Sequence, residues 1–412
     1  MVSGLDERRV RRRRPRWEDI APLLDLGVPD LSRRAALDRC ADVRDIRDAA
    51  RRRVPRMVFD FVDGGADREL SMARARDSLS EVELHPRALE DVGEIDLSVQ
   101  LLGRTSALPF FFAPTGATRL MHQAGETAVA RTAGALGIPY ALSTLGTTSV
   151  EGLARDAPAT RLWFQLYLMT DRALSKDMTD RAWACGFDTL LLTIDTPVPG
   201  RRNRDVRNGL TTPPKLNWAS IWDFSRRPSW VYDKLTTDPV DFAMVTAVSE
   251  LPASRLAKLF DPRMSLHDLE WVRDVWPGKL VVKGVQSVQD AQRLSSTGVD
   301  AVYVSNHGGR QLDRSPVPFE LLPRVRDAVD SSLDVLVDGG VLSGGDVVAC
   351  LARGATAVGV GRAYLYGLMA GGALGVSRVG QILRDETQAT MGLLGCRSAR
   401  DATGIKVTRR GP

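Results

Sequence analysis

Residues 280–310 read LVVKGVQSVQDAQRLSSTGVDAVYVSNHGGR. Leu280–Lys283 is a short apolar run ending on a lysine, Val288–Ser295 has helical periodicity, and Ala301–Ser305 is a second apolar run that opens into Asn306-His307-Gly308-Gly309-Arg310. Two continuously apolar strands joined by a helix make a parallel βαβ unit, with the strands covered on both faces. The same rhythm extends in both directions. Apolar runs at Pro109–Ala113, Tyr140–Ser143, Leu162–Tyr167 and Thr189–Asp195 precede it, and runs at Val335–Asp338 and Ala357–Gly361 follow. Helix-like segments such as Gly125–Leu136 lie between them. Eight such units are the number that closes an α/β barrel of the (β/α)8 TIM type. An open doubly wound sheet calls for a G-x-G-x-x-G turn after its first strand, and Pro114-Thr115-Gly116-Ala117-Thr118-Arg119 does not supply one.

The barrel is placed within residues 41–407, after a helical lead-in. A helix is expected from Val43 to Phe61, stopped by Asp63-Gly64-Gly65. Residues 1–40 read as an arginine-rich arm and a weak lead-in, solvated and partly without fixed structure. Attraction to anionic lipid is its functional alternative. The rhythm breaks once, between Asp195 and Leu280. This insertion, residues 204–268, is too long for an ordinary βα loop. It carries Trp218, Trp222, Phe224, Trp230 and Tyr232 among Arg226, Arg227 and Lys234. The aromatics either form a satellite cluster packed on the barrel or an interfacial segment, since Trp and Tyr with basic neighbours suit the lipid headgroup zone.

Composition narrows the classes. The chain has 412 residues, 43% hydrophobic and 26% charged, which excludes a wholly disordered, collagen-like or fibrous protein. Its formal charge of +5 is accounted for by the arginines of residues 1–16, so the body has no basic excess for nucleic acid. The four cysteines are far apart and contain no C-x-x-C pair, which argues against a disulfide scaffold or a zinc site. No apolar run reaches the roughly 18 residues of a membrane-spanning helix, and the basic N-terminus lacks the apolar stretch of a secretory signal. The expectation is a cytoplasmic protein without a metal, with peripheral contact on the inner face of the plasma membrane as its membrane role.

Barrel enzymes carry their sites at the C-terminal ends of the strands. Here those ends are polar in pairs spaced by two: Gln165 with Tyr167, Thr193 with Asp195, Ser305 with His307, and Lys283 two after Val281. That spacing puts both members of a pair on one face of a strand. A lone polar strand end is usually just solvated, but several on one rim point to a shared site. His307 can accept a proton near neutral pH, and Arg310 offers a planar fork suited to a carboxylate. The seventh and eighth strands run into Asp338-Gly339-Gly340 and Gly359-Val360-Gly361-Arg362. That is the phosphate position of this barrel, where glycines expose backbone N–H groups. A lysine buried at Lys283 needs a partner charge, which an anionic reduced flavin ring would provide.

The run Ser305-Asn306-His307-Gly308-Gly309-Arg310-Gln311-Leu312-Asp313 resembles the signature of the FMN-dependent 2-hydroxy-acid dehydrogenases and oxidases. Ala113-Pro114-Thr115-Gly116, Phe164–Tyr167, Thr193–Pro197, Val282-Lys283-Gly284, Asp338-Gly339-Gly340 and Gly361-Arg362 follow the family's order, over roughly residues 40–407. Within the family the chain is most similar to the bacterial L-lactate dehydrogenases that feed the respiratory chain. The resemblance implies FMN as cofactor and a small L-2-hydroxy acid, L-lactate first, as substrate. It implies a quinone or cytochrome as electron acceptor, peripheral membrane contact and a homo-oligomer. It makes His307 the active-site base, with Asp195 paired to it and Tyr167 beside the substrate hydroxyl. Arg202 and Arg310 would clamp the carboxylate. Thr115, Gly116, Ser143, Gln165, Thr193, Lys283 and Ser305 would contact the flavin, and Asp338, Gly339, Gly340, Gly361 and Arg362 would hold ribityl chain and phosphate.

Three positions depart from the family's common pattern, and a fourth bears on oxygen. Phe61 stands where most members have a Tyr that donates to the substrate carboxylate, a hydrogen bond worth about 1.5–3 kcal/mol. Leu145 stands where some have Trp, which leaves a roomier pocket, and Leu342 where many have an Arg near the phosphate. Gly116 is found in members that react with oxygen and in members that do not. Two competing readings follow: an oxygen-using oxidase or monooxygenase acting on a bulkier acid such as a mandelate, and a barrel without redox function that serves as a binding module.

Overall fold

Eight parallel strands close on themselves in chain order. They are β1 (Phe110–Phe112), β2 (Tyr140–Ser143), β3 (Leu162–Leu166), β4 (Thr189–Thr193), β5 (Lys279–Val285), β6 (Ala301–Val304), β7 (Asp334–Val337) and β8 (Ala357–Val360), with β8 paired back to β1. In this computed structural model, residues 13–24, 30, 32–210, 217–246 and 260–410 are described. Helices follow the strands around the outside, so the architecture is the (β/α)8 barrel expected from the apolar rhythm.

Strand alternation divides the core in two. Phe110, Phe112, Phe164, Leu190, Leu192, Val282 and Val302 point outward and pack under the helices. Their neighbours Phe111, Ala141, Trp163, Leu191, Val281, Tyr303, Leu336 and Ala357 fill the barrel, one from each strand. Phe111 packs on Trp163 and Tyr303 with ring centroids 4.8 and 5.6 Å apart. The floor is closed by a hairpin, Val99–Leu101 with Arg104–Ser106, which buries Leu101 and Leu102 in the same cluster. The barrel is therefore a solid plug, and a ligand has room only at its upper end.

The lead-in differs from expectation. The helix anticipated from Val43 to Phe61 is two helices, Val43–Arg53 and Arg56–Asp63. Pro55 is the cause: it excludes the residue before it from helical backbone angles, and Val54 is extended at φ −106°, ψ 157°. The second helix is thereby free to turn its C-terminal end toward the barrel mouth. Residues 1–12, most of the expected arginine arm, lie outside the described residues.

The insertion contains helices Trp218–Ser225, Pro228–Thr236 and Ala243–Thr246; residues 211–216 and 247–259 lie outside the described residues. Its aromatics divide into a packed set and an exposed set. Phe224 and Trp230 pack on each other at 5.6 Å and against the main core, and Trp230 donates its indole N–H to the Leu120 carbonyl at 3.1 Å. Lys234 donates to the Arg119 carbonyl, and burial, with Arg119 nearby, pulls its ammonium down to about 8. Trp218, Trp222, Tyr232 and Leu235 instead face solvent, at 86, 66, 68 and 80% exposure. Among the described residues no helix is long and apolar enough to cross a membrane.

Candidate active site

The alternation that fills the barrel also builds the site above it. Two residues beyond each inward core residue come Ala113, Ser143, Gln165, Thr193, Lys283, Ser305, Asp338 and Gly359. Two further come Thr115, Leu145, Tyr167, Asp195, His307, Gly340 and Gly361 on seven of the eight strands. The apolar plug thus gives way to a polar layer and then to a reactive rim. A cavity of about 860 Å³ opens over that rim. Of the residues singled out in the sequence, Phe61, Thr115, Gly116, Ser143, Tyr167, Arg202, Lys283, His307, Arg310, Asp338, Gly339, Gly340, Gly361 and Arg362 line it. Gln165, Thr193, Asp195 and Ser305 stand behind its wall, each 2% exposed or less or bonded to a residue that lines it.

His307 follows β6 in a left-handed conformation, φ 60°. Such strain in a non-glycine residue costs of order 1–3 kcal/mol and persists where its surroundings over-determine it. Its backbone N–H donates to the Ser305 hydroxyl at 3.1 Å. Its Nδ1 lies 3.1 and 3.3 Å from the two Asp195 carboxylate oxygens, and its Nε2 lies 3.2 Å from the Tyr167 hydroxyl. Burial pushes the Asp195 carboxyl up, but the His307 charge and hydrogen bond, with Lys283 behind, outweigh it and hold Asp195 below the usual range. An ionised Asp195 can only accept, so it fixes the proton on Nδ1 and leaves Nε2 with its lone pair toward the cavity. Burial pushes Tyr167 up, which keeps it a neutral phenol. Gly284, at φ 104°, makes the pairing possible: a Cβ there would lie 2.8 Å from the Asp195 side chain.

Two arginines of the same cavity wall lie near the Phe61 ring. The guanidinium carbons of Arg310 and Arg202 lie 5.1 and 5.5 Å from that ring's centroid, in cation–π range. Arg202 donates to Asp205 at 2.6 Å. Arg310 is half-buried, and no carboxylate pairs with it among the described residues. It donates to the carbonyls of Phe61 at 2.6 Å and Gly64 at 3.1 Å. Burial, with Arg202 and Arg362 close by, pulls it down to about 9. The pocket accordingly favours an anion.

The carbonyls that hold Arg310 are the C-terminal end of helix Arg56–Asp63. Arg362 joins Arg310 there, donating to Val62 at 3.0 Å and to Gly64 at 3.0 Å. A helix end leaves its last carbonyls unpaired and carries partial negative charge, and two rim arginines satisfy both needs. Asp63 anchors the segment. It accepts from Arg47 at 2.6 and 3.0 Å, Arg204 at 2.9 Å and Tyr366 at 2.9 Å. Burial raises it, but these bonds, Arg47 first, bring it below the usual carboxylate range.

At the polar layer Gln165 links three strands: its Oε1 accepts from Ser143 and its Nε2 donates to Thr193, both at 2.9 Å. Lys283 donates to Ser305 at 3.0 Å and lies 3.7 Å from Asp338. Its partner charge is therefore supplied within the protein. The other oxygen of Asp338 is buried without a hydrogen-bond partner among the described residues. Helix Arg362–Gly371 starts at Gly361 with no side-chain cap, and a Cβ on Gly361 would meet nothing within 4 Å. Helix Gly344–Ala352, by contrast, is closed by a Ser343–Asp346 capping box.

Sequence reading missed several wall residues. Arg76, Asp63, Arg47 and Arg204 line the cavity from outside the strand ends. Phe260 returns from the far end of the insertion, pairs with Met169 and packs, tilted by 40°, on the Tyr167 ring at 4.8 Å. The Thr196 hydroxyl is buried without a partner among the described residues and lines the same cavity. Asp63 had a signal, an acid inside an apolar helix end, which the adjacent Gly-Gly masked as a stop. Arg76 had none to separate it from Arg74.

The model of the FMN-dependent dehydrogenase family matches residues 50–409. A Mycobacterium tuberculosis protein carrying a provisional L-lactate dehydrogenase name is 47% identical over 402 residues, covering 97% of each chain. The L-lactate dehydrogenase of Caulobacter vibrioides is 42% identical over 374 residues, 88% of this chain and 96% of its own. Among solved structures, the monotopic membrane protein (S)-mandelate dehydrogenase superposes with a TM-score of 0.85 at 35% identity, over 89% of this chain and 99% of its own. Mandelate oxidase superposes with a TM-score of 0.78 at 35% identity, over 90% and 99%. The barrel, its polar rim and this match along most of the sequence make the chain a member of the FMN-dependent dehydrogenase family, with FMN as its cofactor.

Proposed function

We propose that the protein oxidises an L-2-hydroxy acid, L-lactate first, to the 2-oxo acid, and passes the electrons to a membrane quinone. The observation that carries this reading is His307, held by Asp195 and lining one cavity with Arg310, an arginine that has no carboxylate of its own among the described residues. The residues present fit FMN: the unpartnered Asp338 oxygen suits a ribityl hydroxyl, and the uncapped helix start at Gly361 suits a phosphate. Lys283, Ser143 and Thr115 would face the ring system from the rim.

Arg310 and Arg202 take the substrate carboxylate, which fixes the acid in one orientation. His307 Nε2 accepts the hydroxyl proton, and Asp195 stabilises the resulting imidazolium. The Tyr167 hydroxyl, 3.2 Å from Nε2, is placed to hydrogen-bond the same oxygen. FMN, when bound, takes up the hydrogen and electron pair that leave the substrate Cα.

The substrate is tested at Phe61. The Phe61 ring lines the cavity within cation–π range of both arginines, so a hydroxyl on it that reaches the carboxylate is expected to raise kcat/KM for L-lactate about tenfold or more in Phe61→Tyr. Steady-state rates on L-lactate and (S)-mandelate, for both forms, check this. The bulkier-acid reading is favoured by Leu145 in the cavity wall and by the mandelate enzymes among the solved relatives. Faster turnover of mandelate than lactate by the unmodified chain would establish it instead.

The acceptor reading rests on the insertion. Trp218, Trp222 and Tyr232 are exposed beside Arg226, and such a surface suits lipid headgroups. The protein is expected to sediment with anionic vesicles. Replacing these three aromatics by Ser should leave it in the supernatant with the flavin still bound. Equal sedimentation of both forms would remove the insertion as the membrane contact.

A further inference from the structure

Helix Leu70–Ser80 belongs to the lead-in, yet it contributes Arg76 to the cavity wall. The helix lies directly against the glycine turn after β7. Gly340 has φ 82°, and a Cβ there would come within 3.0 Å of the Ala75 carbonyl. Arg76 Nη1 donates to the Gly340 carbonyl and, at 2.8 Å, to Asp346. The pairing of Val337 with Val358 sets Gly340 level with Gly361, where helix Arg362–Gly371 begins uncapped. A cation from the lead-in therefore stands at the end of the cavity suited to a phosphate.

The other charges at this end are partly committed elsewhere. Arg362 spends Nε and Nη2 on the Val62 and Gly64 carbonyls, which leaves its Nη1 for a phosphate. Arg47 is held in a two-point pair by Asp63. Leu342, in the same wall, has no charge. Asp346 divides its acceptor capacity among Arg76, the Leu342 N–H at 2.9 Å and the Ser343 N–H at 3.1 Å. Among the described residues no hydrogen bond uses Nε or Nη2 of Arg76.

We propose that Arg76 is a counter-ion of the FMN phosphate, reaching it across the Gly340 turn from outside the barrel's own loops. The lead-in helix then does more than pack: it supplies part of the cofactor's binding charge. This rests on the FMN reading above, and the test separates the two. Full-length protein is stripped of flavin and titrated with FMN and with riboflavin, which lacks the phosphate, following flavin fluorescence. The unmodified chain should bind FMN more tightly than riboflavin. Arg76→Met should weaken FMN binding about 10–100-fold and leave riboflavin within about twofold, while Arg76→Lys restores most of the FMN affinity. Asp346→Asn, which removes the pairing acid and keeps the cation, should leave the preference for FMN in place. Equal weakening of both flavins by Arg76→Met would overturn the proposal, since Arg76 would then only brace the turn. Unchanged FMN affinity would overturn it too. Failure of the unmodified chain to bind either flavin would overturn the cofactor reading and this proposal with it.

Discussion

Replacing His307 by Gln is expected to lower kcat by about 10²–10⁴-fold with FMN still bound. Gln keeps the size and one hydrogen bond toward Asp195 but cannot take a proton. The effect should fall on kcat more than on binding, because the carboxylate clamp is held by other groups: the Arg310 side chain by the Phe61 and Gly64 carbonyls, and Arg202, beyond β4, by Asp205. The FMN content of the variant, its kcat, and its affinity for the 2-oxo acid product read the three separately. A kcat within tenfold of the unmodified enzyme would remove His307 as the base. Loss of flavin would instead mean that the residue at φ 60° holds the turn between Ser305 and Gly309.

Arg310→Met is expected to cost kcat/KM roughly 10²–10³-fold, with most of the loss in affinity. Removing one partner of a buried ion pair costs about 3–5 kcal/mol, and Arg310 is the clamp member whose side chain is held only by neutral carbonyls. Arg202 cannot fully replace it, because Asp205 already neutralises that guanidinium at 2.6 Å. Product-acid binding, read from the perturbed flavin spectrum, should weaken in parallel with the rise in KM. If the acid binds as well as before, the carboxylate is not held at Arg310. The carbonyls of Phe61 and Gly64 also lose a donor in this variant, but Arg362 still serves Gly64, so the helix end remains partly satisfied.

Where the chain is regular, its sequence was legible. The eight strands follow from apolar runs, and strand alternation carries the reading upward from Trp163 to Gln165 to Tyr167, and from Tyr303 to Ser305 to His307. The spacing by two is a property of the extended backbone itself, so it survives into the rim, where residues lie just past the strand ends. What escaped is what distant segments build together. The two rim arginines are held by a helix end some 250–300 residues earlier in the chain. Phe260 reaches Tyr167 only because the insertion returns to the end of β3, where Asp261 donates to the Leu168 carbonyl at 2.9 Å and pairs with Arg172. No local pattern encodes such closures. The helix broken at Pro55 is a different case: the rule that breaks it is local, and the apolar periodicity on either side ran over it.

The central claim is that an L-2-hydroxy acid delivers its electrons directly to FMN seated in this cavity. Anaerobic mixing of the flavin-loaded protein with L-lactate in a stopped-flow cell tests it most directly. The account predicts bleaching of the flavin at a rate no slower than steady-state turnover, bleaching by L-lactate but not D-lactate, and its near abolition in the His307→Gln form. A flavin that stays oxidised with L-lactate and with every other short or aromatic L-2-hydroxy acid would contradict it.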